Sequence, residues 1–144
     1  MNRAVSLTLG ALAAMSVTVP AEAMSAYRWT YRPVVVFAGA ASDSALAEQR
    51  RIFAGSRSGL AERDVVIVWV IGNTVLAELG PGPGLTASQL RSRFGAEGSG
   101  FRVVLVGKDG GTKLTRPTPI GTRTLFGTID AMPMRRDEMR RSRP

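Results

Sequence analysis

Two uninterrupted apolar runs, Val34-Val35-Val36-Phe37 and Val65-Val66-Ile67-Val68-Trp69-Val70-Ile71, constrain this chain more than any other feature. Neither alternates apolar with polar positions, so neither suits a strand with one wet face; such runs belong to strands covered on both sides. Between them, Ala45 and Leu46 recur one heptad later as Ile52 and Phe53, while Glu48, Arg50 and Arg51 face water. The spacing predicts a helix from Ser44 to Arg57, started by Asp43 or Ser44 and stopped at Gly59. A helix between two buried strands is the spacing of a right-handed parallel crossover.

The rest of the chain is punctuated by turn residues. Upstream, Tyr27, Trp29 and Tyr31 alternate with Arg28, Thr30 and Arg32, which predicts an extended lead-in or edge strand with its aromatic side laid on the sheet. Gly80 to Gly84 (GPGPG) reads as a loop, because Pro and Gly there continue neither helix nor strand. Thr86-Ala87-Ser88-Gln89 has capping-box spacing, and Leu90 with Phe94 gives the short helix behind it a buried side up to Gly95. FRVVLVG and TKLTR flank Lys108-Asp109-Gly110-Gly111, a hairpin turn that needs positive φ; the spacing and following helix of a phosphate loop are lacking. Thr122 opens a last helix with Leu125, Phe126, Ile129 and Met132 inward, broken at Pro133.

The ends set the compartment. Arg3, the uncharged stretch Ala4 to Val19 and the small-x-small pattern Ala21-Glu22-Ala23 predict a signal peptide over residues 1–23. The stretch is too short, and too rich in Ala and Ser, for the roughly 20 apolar residues of a retained anchor. The expected organisation is thus a signal peptide, one domain over residues 24–134 and a basic tail over 135–144, with the mature protein periplasmic or extracellular and not transmembrane. Export would permit disulfides, yet the chain has no Cys, so its core alone must hold it. Net charge is +8, and the tail concentrates Arg135, Arg136, Arg140, Arg141 and Arg143. Those five are candidate contacts to an anionic surface. An exported protein rarely meets nucleic acid, so none is expected as partner.

The order of elements is β-α-β-α-β-β-α, an α/β single domain with a central mixed sheet in the thioredoxin-like arrangement. The YRW lead-in, PVVVFA, LAERD, FRVVLVGKDGG and IDAMPMRRDEM resemble the bacterial branch of domain of unknown function family 4174, also called the DUDES domain, from Ala26 to Met139. The family also occurs in vertebrate secreted sushi-repeat and matrix proteins. The resemblance implies a thioredoxin-like fold and an exported setting, and it carries no settled activity. The Asn73 to Gly84 stretch is longer and richer in Gly and Pro than the family pattern.

In a thioredoxin-like chain the reactive thiols would occupy the turn Gly39 to Ser44, which here offers only Ser42 and Ser44, and the position before the third strand holds Phe101-Arg102 in place of a proline. A serine hydroxyl exchanges no disulfide, so thiol-based redox catalysis is excluded. The absence of His removes the usual general base, the Ser-His-Asp triad and the common zinc and copper sites. Asp43, Glu48, Asp64, Asp109 and Asp130 are scattered, and Lys108 and Lys113 sit on a hairpin far from Ser42. The expectation is a non-enzymatic protein without cofactor or metal, binding a protein or envelope component. Its candidate surface is Gly39, Ala40, Ala41, Ser42, Asp43 and Ser44 with Gly72 and Asn73, at the carboxyl ends of the parallel strands. Two alternatives stand beside it: electrostatic adhesion through the Arg-rich tail, and a carboxylate-based enzyme.

Overall fold

The computed structural model describes residues 24–98 and 100–144; the leader expected over residues 1–23 lies outside the described residues. Strand β1 (Arg32–Ala38) is buried along its whole length, and β2 (Val65–Ile71) is buried at every position but the last. They lie side by side and parallel, Val34 opposite Ile67 and Val36 opposite Trp69. Two further strands, β4 (Arg102–Val106) and β5 (Thr112–Arg116), form the expected hairpin, with β4 antiparallel to β1. With β3 (Thr74–Glu78) at one edge, the sheet order is β3-β2-β1-β4-β5.

The edge strand β3 (Thr74–Glu78) occupies part of the Asn73 to Gly84 stretch, where no strand was expected. It folds back antiparallel on β2 through Gly72 and Asn73, Ile71 facing Thr74. Gly72 takes φ 55° at the first central position of this two-residue turn, where a side chain would be strained. Gly-Asn between two extended runs is itself a hairpin signal, and its neighbour GPGPG obscured it.

The sheet's two faces carry two cores. Val34, Val36, Ile67, Trp69, Val103 and Leu105 meet helices α1 (Ser44–Ala54), α2 (Arg57–Glu62) and α4 (Thr122–Asp130) through Leu46, Phe53, Leu60, Leu125 and Ile129. On the other face Val35, Phe37, Val66, Val68 and Val104 meet Tyr27 and, from α3 (Ala87–Phe94), Leu90. The capping box at Thr86 and Gln89 and the left-handed cap at Gly95 start and end α3 as expected.

Three local expectations are corrected. The single helix from Ser44 to Arg57 is two, divided at Gly55-Ser56, and Gly59 lies inside α2 instead of stopping it. Gly59 is there for contact: a Cβ would stand 2.6 Å from the Phe126 ring, whose face also carries the Arg63 guanidinium at 3.9 Å. The aromatic lead-in is not extended; Ser25–Tyr27 form a 3-10 turn that buries Tyr27 and leaves Trp29 63 % exposed. The basic tail is helical, because Pro133 begins α5 (Pro133–Arg141) instead of merely ending α4.

Candidate functional site

At the carboxyl ends of β1 and β2 the structure brings the first candidate residues into one neighbourhood. Gly39, Ala40, Ala41, Ser42, Ser44 and Asn73 are exposed, and Gly72 is half-buried against the Gly39 backbone. Their polar groups have internal work. The Asp43 carboxylate accepts from the Ala45 and Leu46 amides at 2.8 and 3.4 Å, capping α1. Arg91 of α3, which the sequence did not single out, donates to the Gly72 carbonyl at 2.6 Å and to that of Ala38 at 3.2 Å. Arg91 thus ties the end of β1 and the turn after β2 to α3.

The amino-terminal end of the same strands is chemically richer. Arg32 at the start of β1 is fully buried, and its guanidinium donates to both Glu138 oxygens at 3.1 and 3.0 Å and to the Arg63 carbonyl at 3.0 Å. Lys108, just beyond β4, places its Nζ 2.7 Å from both Asp64 and Glu138. Arg135 holds Asp130 at 3.1 Å and Glu62 at 3.0 Å, and Arg63 holds Asp130 at 2.9 Å. Four cations and four carboxylates thus latch α5 and α4 to the ends of β1 and β2. Arg32 Nε is buried with no partner among the described residues.

This latch overturns one expectation and revises another. Arg135 is 5 % exposed and paired within the fold, so it cannot serve as an anionic contact; Arg136, Arg140, Arg141 and Arg143 are exposed. Carboxylates far apart in sequence do converge, since Asp64 and Glu138 share Lys108. Burial pushes the Glu138 carboxyl up, but the hydrogen bonds from Arg32 and Lys108 outweigh it and hold the group below the usual carboxylate range. Asp130 is held down by its hydrogen bond from Arg63, against the opposing effect of burial and with help from Arg135. Both carboxylates are thus held ionised by cations fixed in the fold.

Beside the latch lies a recess of about 410 Å³ lined by Arg32, Lys108, Lys113, Met132, Pro133 and Met134. Trp29 stands at the same end, its amide donating to the Lys108 carbonyl at 2.7 Å. Its φ is 69°, a left-handed conformation that is strained for an aromatic residue. Tyr27 next to it is buried, donates its hydroxyl to the Pro81 carbonyl, and has its pKa pushed up to about 12 by burial.

The fold and this end define a small single-domain mixed α/β protein whose sheet is latched at one end by an internal ion network. The chain belongs to the family described as Domain of unknown function (DUF4174), which matches residues 23–138. That match runs through Glu138, so the family's extent includes most of α5 and the carboxylate that closes the latch. No solved structure matches the chain.

Proposed function

We propose that this protein is an exported, thioredoxin-like module that recognises a partner in the cell envelope and performs no catalysis. The observation that carries this reading is Trp29: a large aromatic side chain, 63 % exposed, on a strained backbone whose amide bonds the carbonyl of Lys108, a residue that lines the recess. Aromatic side chains are frequent anchors of recognition surfaces, and strain of this kind gathers at functional positions. The thioredoxin-like reading is supported by the element order. With β3 set aside, α1 and α2 taken as one crossover and α4 and α5 as one closing segment, it reduces to β-α-β-α-β-β-α.

The contact face in this reading is the amino-terminal end of β1 and β2, and the exposed Gly39 to Ser42 turn is a secondary surface. A second reading, adhesion to an anionic surface, is favoured by Arg136, Arg140 and Arg141, exposed on a helix latched to the same end as Trp29, and by exposed Arg143 just beyond it. One experiment separates the two. Crosslinking in the native envelope is run on the wild type, on Trp29→Ala and on a chain with those four arginines changed to Gln, alongside binding to anionic vesicles in low and high salt. Recognition of a specific partner predicts a discrete adduct lost in Trp29→Ala. Adhesion predicts vesicle binding that high salt and the Gln chain both abolish. Recovery of the wild type uncrosslinked and unbound in every condition sinks both readings.

A further inference from the structure

The two edges of the sheet are built differently. The β5 edge is guarded in the usual ways: Lys113 and Arg116 project from it, and the pairing slips at Leu105 and Val106 in a bulge. The β3 edge has none of these. Thr74–Glu78 runs in unbroken register on β2, contains no Lys, Arg or Pro, and holds Leu76 50 % exposed. Leu76 lies opposite Trp69 and forms one side of a recess of about 240 Å³ with Phe53, Ala54, Arg50 and Arg57. The sheet's apolar face therefore continues one strand beyond the helices that cover it.

We propose that the protein forms a twofold dimer in which β3 pairs antiparallel with β3 of a second copy about Leu76, joining the two sheets into one. The sequence of the strand selects this occupant. Turned about Leu76, Thr-Val-Leu-Ala-Glu sets Thr74 against the partner's Glu78 and Val75 against the partner's Ala77, so no like charges oppose and each apolar residue meets another. Backbone geometry agrees. In a two-residue hairpin the residues flanking the turn, Ile71 and Thr74, exchange hydrogen bonds, and alternation makes Trp69 and Leu76 another such pair. The amide and carbonyl groups of Val75 and Ala77 then point outward, as an antiparallel neighbour centred on Leu76 requires. The two Leu76 side chains meet at the axis on one face, as the isologous symmetry of a dimer demands. Glu78 is already paired with Arg57 at 3.1 Å, so the edge brings no uncompensated charge.

The chain has no cysteine, which makes the test clean. A single Leu76→Cys substitution places two thiols across a close non-hydrogen-bonded pair, and mild oxidation is expected to convert the protein to a covalent dimer; Thr115→Cys on the opposite edge is expected to form no covalent dimer. In sedimentation equilibrium the wild type is expected at twice the chain mass, and more so in high salt, because two copies of a +8 chain repel. Leu76→Lys is expected to give a monomer with unchanged circular dichroism. A wild type that is monomeric at every concentration and salt, a dimer indifferent to Leu76→Lys, or Leu76→Cys crosslinking no faster than Thr115→Cys overturns the proposal. None of these results depends on what Trp29 binds.

Discussion

Glu138 ties α5 to two strands of the sheet. One carboxylate closes on Arg32 at the start of β1 and on Lys108 after β4, and both cations are nearly fully buried. Removing one member of a buried ion pair leaves the others desolvated and unpaired, at about 3–5 kcal/mol, whereas exposed pairs contribute about 0–1 kcal/mol. Glu138→Ala is therefore expected to cost several times what Arg57→Ala costs, since Arg57 and Glu78 are both about half exposed. Urea unfolding of the two variants checks this; equal losses would show that the latch contributes no more than a surface pair. Little of it was legible beforehand. Lys108 read correctly as a turn residue, but its bonds to Asp64 and Glu138 span 44 and 30 positions, and no local pattern encodes such contacts.

Elements were legible where their signals were local. The apolar runs gave β1 and β2, the capping box gave α3 and Asp-Gly gave the β4–β5 hairpin, because periodicity, caps and turns are properties of neighbouring residues. Errors fell where one residue type has two meanings. Pro133 ends one helix and begins the next, Gly59 makes room for Phe126 instead of stopping a helix, and Gly72 turns a hairpin beside a loop of similar composition. The α5 helix matters most of these, since Glu138 and Arg135 tether it. Glu138 and Asp130 are depressed in the folded protein. The stability they lend is therefore present above their unfolded values, about 4.3 for Glu and about 3.9 for Asp, and is lost as pH falls through the lower folded values. The thermal midpoint is expected to hold level from neutral to about pH 5 and to decline below it, with a shallower decline in Glu138→Gln. A midpoint unchanged into strong acid would show that the tether does not titrate.

For the whole molecule, the parallel pair and the antiparallel hairpin were foreseen, and the fifth strand and its bare edge were not. The residues proposed for a surface at the carboxyl ends of the strands lie in one neighbourhood, where Arg91 bonds the Gly72 carbonyl, while the exposed aromatic and the recess of about 410 Å³ lie at the other pole. Burial there depended on how a strained lead-in folds back over the sheet, which alternation alone cannot reveal.

The chain's two tryptophans occupy opposite environments, Trp29 63 % exposed and Trp69 3 % exposed in the core beneath α1. They form a built-in pair of optical reporters. Iodide is expected to quench the red-edge emission of one indole and spare the other, and Trp29→Phe should leave a single blue, quencher-resistant band. With that spectrum in hand, a ligand that blue-shifts only the outer component can be assigned to the lead-in without any label, while a change in the inner one announces unfolding.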